Sequence, residues 1–302
     1  MSENDRTRDI EMVFVLGTGR CGSTLVHEVL AKHPSFGFVS NVDDRFKAGE
    51  LKGRWNNALY RRIPPRFTQK GRFRYAPSEA YNVLDRTVSP ALSTPFRDLV
   101  ADDVTPWLTS RVKGFFESRA EAQDKSIFLH KFTGWPRAGF FQKIFPNARF
   151  INVIRDGRAV ANSFLQMPWW GGYRGLSDWG WGPLPEVYEK KWEASGQSFV
   201  LLAGLEWNLL MDAFEAAKAA IPSQQWMDVR YEDFVAEPKK QTEEMLRFAG
   251  ADWSSTFDEE FARFTFSTSR RDAFRKDLDP GQVQMLTDAL SEHLERYGYS
   301  AG

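Results

Sequence analysis

The chain has a single cysteine, Cys21, among 302 residues. No intrachain disulfide can form, and a reducing compartment is expected. It contains no apolar run approaching the roughly 18 residues that a membrane-spanning helix needs. It has no formal net charge, since 40 Lys and Arg stand against 40 Asp and Glu. A generic nucleic-acid binder is usually more basic, so neither nucleic acid nor membrane is expected as a partner. The opening MSENDRTRDIEM is polar and lacks the apolar centre of a secretory signal. No internal repeat occurs. What is present excludes wholesale disorder: 42% of residues are hydrophobic and 26% charged. Aromatic residues reach 15%, including 11 Trp and 25 Phe. That abundance suggests that some of them line a site rather than only fill a core.

The length allows two domains or one large α/β domain. Residues 1–10 read as a flexible tail. Residues 12–16 (MVFVL) form a short continuous apolar run ended by Gly17. That fits a strand buried on both faces, as in a parallel sheet. Residues 23–32 (STLVHEVLAK) carry apolar positions 25, 26, 29 and 30 at helical spacing, and His33-Pro34 ends that helix. A second such unit lies mid-chain. Residues 126–129 (SIFL) read as a strand, and 136–145 as a helix with Pro136 in its first turn. Residues 150–154 (FINVI) read as a buried strand, and Asp156 caps a helix beginning near Gly157. Further on, 197–220 reads as a helix and 226–229 as a strand. Residues 237–249 read as a helix closed by Gly250, and a last helix starts at Asp279-Pro280 and stops at Gly298. Strands alternating with helices predict an α/β fold, a central parallel sheet flanked by helices.

Two stretches break that rhythm. Residues 45–74 hold ten Lys or Arg against one acid, Glu50. Residues 167–185 mix four Trp with five Gly and three Pro. Both read as insertions into a single domain of residues 1–302, the first within 45–110.

Between the first strand and the first helix lies Gly-Thr-Gly-Arg-Cys-Gly-Ser-Thr, residues 17–24. A loop in that position presents several backbone N–H groups to an anion, and the helix dipole adds about half a positive charge. The spacing matches G-x-x-x-x-G-K-[ST], except that Ser23 stands where the lysine belongs. That lysine reaches the β- and γ-phosphates in nucleotide triphosphatases, so its absence weakens a kinase or ATPase reading. Arg20 offers charge from the other side of the loop. Arg155 follows a strand, and Ser163 lies eight residues on. The two read as a grip on a second phosphate at a strand end.

The two segments together resemble the 3′-phosphoadenosine-5′-phosphosulfate (PAPS) dependent sulfotransferases. The resemblance rests on residues 17–34 (GTGRCGSTLVHEVLAKHP), 145–164 (FPNARFINVIRDGRAVANSF) and 229–250 (VRYEDFVAEPKKQTEEMLRFAG). The C-terminal 290–299 (LSEHLERYGY) is also similar, and the likeness runs from residue 13 to 299. It is strongest to the bacterial and tyrosylprotein-type branch. It implies a P-loop-like sulfotransferase fold, PAPS as co-substrate with 3′,5′-adenosine bisphosphate (PAP) released, and no metal requirement. It also implies that Gly19, Arg20, Cys21, Gly22, Ser23 and Thr24 hold the 5′-phosphosulfate. Arg155 and Ser163 would then hold the 3′-phosphate, with Arg270 and Arg271 in a basic loop closing over it and Tyr231 on the nucleotide. Lys131 matches the lysine that assists the leaving oxygen, beside Arg20.

The base that accepts the acceptor's proton is not at its usual places. Cytosolic relatives carry a His two residues after the lysine, where Thr133 stands here. Tyrosylprotein-type relatives carry a Glu seven or eight residues after the His-Pro pair, where Ser40 and Asn41 stand. Asp43 is the favoured catalytic carboxylate, ahead of Asp44 and His130, which strand alternation turns to the opposite face. His27 lies on the first helix and is expected to be packed. Trp169, Trp170, Trp179 and Trp181 are candidates to stack on an acceptor, which is a small molecule, a carbohydrate or a peptide. The basic stretch 45–74 is a candidate attractor for an anionic acceptor. A cytoplasmic enzyme is expected. The rival readings are an ATP- and magnesium-dependent kinase and a nucleotide-binding protein without catalysis.

Overall fold

The computed structural model describes residues 10–46, 52–68 and 74–299. Most of the expected tail, and parts of the basic stretch 45–74, lie outside them. Five strands form one all-parallel sheet: β1 (Glu11–Leu16), β2 (Phe36–Gly37), β3 (Ile127–Lys131), β4 (Arg149–Ile154) and β5 (Trp226–Arg230). Their order across the sheet is β2-β3-β1-β4-β5. The register pairs Phe14 with His130 and with Phe150, and Ile154 with Arg230.

The apolar strands are covered on both faces, as parallel strands are. Along β1, Met12, Phe14 and Leu16 pack into one core with Phe116, Phe128, Phe141 and Phe214. Those partners come from the helices Pro106–Ala122, Ala138–Ile144 and Phe199–Ala220, and from β3. Val13 and Val15 point the other way, into a core with Val26, Val29, Leu129, Val153 and Leu246. That second face is covered by the helices Ser23–Leu30 and Pro238–Phe248. The alternation decides which side chains of β3 reach which face. His130 falls among Phe14, Phe116 and Phe132, while Lys131 falls on the face of the first helix.

The helix ends follow local chemistry. The Asp156 carboxylate accepts the Arg158 N–H at 2.9 Å and starts the helix Gly157–Leu165. Gly250 closes the helix Pro238–Phe248 in the left-handed conformation.

Several expectations need correction. Pro136 stands before the helix Ala138–Ile144, whose entry is instead held by Asp98 accepting the Arg137 N–H at 2.6 Å. The last helix is two, Pro280–Ala289 and Ser291–Arg296, broken at Leu290. The seventeen-residue helix Pro106–Ala122 falls partly in the stretch read as insertion, and β2 is an unforeseen two-residue strand. Among the described residues no helix is long and apolar enough to cross a membrane.

Candidate functional site

Four neighbouring strands each deliver one part of a cavity at their carboxyl ends, where open parallel sheets place their ligands. The loop after β1 carries Gly19 to Thr24, and β3 ends in Lys131. Arg155 follows β4, and Tyr231 follows β5. Together with Ser163 and Arg270 these residues, Cys21 excepted, line a cavity of about 990 Å³.

The loop is shaped by backbone conformations that most residues avoid. Gly19, Arg20 and Gly22 all have positive φ, at 89°, 55° and 94°. A Cβ on Gly22 would stand 2.3 Å from the Tyr231 ring. Tyr231 is therefore packed on the loop itself, and only glycine leaves room for it. Cys21 is fully buried, with its sulfur turned under the loop toward Gly17. Its side chain does not line the cavity, so any anion contact it makes is through its backbone.

The two anion grips inferred separately from the sequence are one continuous structure. The Arg20 Nε donates to the Ser163 hydroxyl at 2.8 Å. Arg155 donates to the Arg20 carbonyl at 3.0 Å and to the Arg270 carbonyl at 2.6 Å. Its guanidinium also lies 4.9 Å from the centre of the Tyr231 ring. The Arg155 Nε is buried and has no hydrogen-bond partner among the described residues. No carboxylate among them pairs with Arg20, Arg155 or Arg270. Burial lowers the Arg20 pKa, and the positive charges of Arg155 and Arg270 lower it further. Three unpaired guanidinium groups crowded at a helix start make a site for an anion of more than one charge. Arg271 is placed differently and lines a separate small cleft with Asp156 and Glu232.

At the end of β3, the Lys131 ammonium donates to Thr24 Oγ1 at 3.0 Å and to Glu79 Oε1 at 2.8 Å. The Thr133 hydroxyl donates to the same Glu79 oxygen at 2.6 Å. Burial alone would raise the Glu79 carboxyl. The Lys131 charge, with hydrogen bonds from Lys131 and Thr133, holds it below the usual carboxylate range. Glu79 is the carboxylate that sequence reasoning missed. Nothing local marks it; long-range bonds bring it there. The Ser78 N–H donates to the Val39 carbonyl at 2.8 Å, and the Asn41 N–H to the Ala76 carbonyl at 2.9 Å. These zip the segment before Glu79 onto the chain leaving β2.

The structure does not bring Asp43 to the cavity. Its Oδ2 accepts from the Ser40 N–H, the Ser40 hydroxyl and the Asn56 amide, at 3.0, 2.8 and 2.6 Å. It is a capping-box residue that starts the helix Asn41–Arg45. Asp44 is buried and holds Asn82 and the Val83 N–H, so it too is occupied. His27 and His130 are both buried, and burial lowers both pKa values, that of His130 to about 3.

Beside this cavity lies a second, of about 640 Å³, which shares Thr133 and Trp169 with it. All four tryptophans of the 167–185 stretch line it. Trp170 and Trp179 are buried, Trp181 is half-buried, and Trp169 is 59% exposed.

Comparison with known proteins agrees with this geometry. The sulfotransferase domain of the Synechococcus PCC 7002 olefin synthase is similar at 14% identity, with a TM-score of 0.53 over 99% of this chain and 98% of that one. The sulfotransferase STF1 of Mycobacterium tuberculosis H37Rv is similar at 16% identity, with a TM-score of 0.56 over 94% and 77%. The sulfotransferase domain of the curacin biosynthetic pathway is similar at 14% identity, with a TM-score of 0.51 over 94% and 98%. These likenesses establish a shared fold. The sequence profile of the sulfotransferase family matches residues 12–255, which span β1 to β5 and so every strand that builds the cavity. The chain belongs to the sulfotransferase family.

Proposed function

We propose that this site moves the sulfuryl group of PAPS to an acceptor hydroxyl or amine and releases PAP, with Glu79 as the base. The observation that carries the reading is the cluster of Arg20, Arg155 and Arg270, unpaired around a loop at a helix N-terminus. A nucleotide with a 3′-phosphate and a 5′-phosphosulfate has two anionic ends to satisfy such a cluster. PAPS supplies the activated S–O bond that is broken. The backbone N–H groups and hydroxyls of residues 19–24, with Arg20, serve the 5′ end. Arg155, Ser163 and Arg270 serve the 3′-phosphate, and Tyr231 packs beside them. Arg271 has a weaker claim from its separate cleft.

Lys131 then supplies positive charge to the leaving phosphate oxygen, and Glu79 takes the acceptor's proton. The two roles are linked, because each group neutralises the other until substrates arrive. When Lys131 turns to the leaving oxygen, Glu79 loses its main stabilising charge and becomes a stronger base. The cytoplasm is the compartment in keeping with the single, unpaired cysteine.

The test is transfer from PAPS to a panel of hydroxyl acceptors, with wild type beside Glu79→Gln. Sulfated product from the wild type is expected, with roughly 10²–10⁴-fold less from the variant. A variant as active as the wild type removes Glu79 as base. A wild type that binds PAP but never transfers removes the enzymatic reading.

A further inference from the structure

The tryptophan-lined cavity lies on the side of Thr133 away from the nucleotide loop. Its walls include Phe96, Trp135, Trp169, Trp170, Trp179 and Trp181. The walls are held from behind by buried polar groups. The Trp170 indole donates to Glu206 at 2.9 Å, and the Trp179 indole to the Gly182 carbonyl at 2.5 Å. Trp181 packs edge-on against Trp135, with ring centres 5.9 Å apart. The faces of Trp170, Trp179 and Trp181 are therefore held in place, and a fixed aromatic surface binds a ring with little loss of side-chain freedom.

Charge limits what that ring carries. Among the described residues the only cation in the walls is Arg137, which is buried, and its guanidinium donates to the carbonyls of Ser93, Thr133 and Trp135. The other charged wall residue among the described residues is Asp178, which is paired with Arg174 at the exposed rim. An anionic group entering here would meet no exposed cation in the lining, since Arg137 is buried, and Asp178 is already paired with Arg174 at 3.4 Å. The cavity is also placed for the chemistry: Thr133 belongs to both cavities, and its hydroxyl touches Glu79 at 2.6 Å.

We infer that this cavity is the acceptor site and that its substrate class is an uncharged aromatic or fused-ring alcohol or phenol. The ring lies among the tryptophans, and the hydroxyl projects past Thr133 to Glu79. A sulfated glycan, or a tyrosine flanked by acids, is disfavoured because among the described residues no exposed cation lines these walls. The volume of about 640 Å³ fits a small-molecule acceptor rather than a polymer. The inference rests on the nucleotide reading above, since it takes its direction from the Lys131–Glu79 pair.

The experiment measures 1-naphthol binding to PAP-saturated protein, by quenching of tryptophan fluorescence. A tyrosine peptide flanked by aspartates is measured alongside by calorimetry. Phe96→Ala and Trp169→Ala serve as variants, because both side chains are more than half exposed and their loss leaves the core intact. Expected is saturable naphthol binding, weakened about three- to tenfold by each substitution, the range of one aromatic contact. PAP affinity is expected to be unchanged in Phe96→Ala. Naphthol affinity that ignores both substitutions, or a peptide that binds more tightly than naphthol, would overturn the inference. So would PAP-loaded protein that binds no naphthol. Failure to bind PAP at all would overturn the nucleotide reading and the inference with it.

Discussion

Lys131 and Glu79 form an ion pair 2.8 Å long at the carboxyl end of β3, and Thr24 shares the same ammonium at 3.0 Å. These contacts join the second residue of the helix Ser23–Leu30, the end of β3 and the segment zipped onto the chain leaving the neighbouring β2. It places a cation for a leaving group against a carboxylate for an incoming one.

A pH profile reads this pairing directly. Glu79 acts as a base only when ionised, so activity falls on the acid side as it gains a proton. Lys131 holds that titration below the ordinary carboxylate range. Lys131→Met leaves burial as the dominant influence, so the carboxyl pKa rises. The acid limb of kcat/KM in the weakened variant is expected to move to higher pH. An acid limb that stays in place would separate Glu79 from the chemistry.

Arg155 binds two backbone carbonyls and lies along Tyr231, yet its Nε is unpartnered. Arg155→Ala is expected to weaken PAP binding by about 1.5–3 kcal/mol, the range for a charged hydrogen bond. It should weaken 5′-AMP much less. Calorimetric titration of both ligands checks this, and equal losses would remove the 3′-phosphate assignment.

Gly22 faces two penalties if it gains a side chain. Its φ of 94° is a left-handed conformation, and the added carbon meets the Tyr231 ring at 2.3 Å. Gly22→Ala is expected to destabilise the fold by about 2 kcal/mol or more, from strain and overpacking together. The Gly22→Ala, Tyr231→Ala double variant should recover the overpacking part. Denaturant unfolding of the three variants measures it, and a neutral Gly22→Ala would contradict the packing seen here.

The parts legible in the sequence were those with local signals. A continuous apolar run ended by Gly17 marked β1, residues 150–154 marked β4, and Asp156 marked the start of the helix Gly157–Leu165. Arg20 was reachable from the glycine-rich loop after β1, Arg155 and Ser163 from the end of β4 and the helix after it, and Tyr231 from the family resemblance at the end of β5. Glu79 was not reachable. It is carried to Lys131 by hydrogen bonds between residues 39–41 and 76–78, a pairing with no periodic signature. Asp43 was misread because a carboxylate near the expected place looks the same in sequence whether it caps a helix or faces a cavity. The helix Pro106–Ala122 buries only a narrow stripe, Val112, Phe115, Phe116 and Ala120, among charged residues, and was not read from the sequence. The direct bond between Arg20 and Ser163 joins residues 143 apart and had no sequence signal either.

Glu206 gives a stability test of the tryptophan wall. It is fully buried, and burial pushes its pKa up to about 8, against which the Trp170 and Trp181 indoles act only in part. Its folded-state pKa exceeds its unfolded value, so its contribution is complete at low pH and is lost as pH rises toward 8. Between pH 6 and 8 the wild type is expected to lose about 2 kcal/mol from this group. Glu206→Gln keeps a neutral acceptor for the Trp170 indole and removes that slope. Urea unfolding of both proteins at pH 6 and pH 8 compares them, and parallel losses would show that Glu206 does not titrate in this window.

The central claim is that the arginine cluster around the β1 loop recognises a nucleotide bearing a 3′-phosphate. Calorimetric titration with PAP in EDTA, beside ATP with magnesium, tests it most directly. Micromolar PAP binding without metal, with little binding of ATP, is the result the structure predicts. Tight binding of ATP with magnesium and no preference for PAP would contradict it.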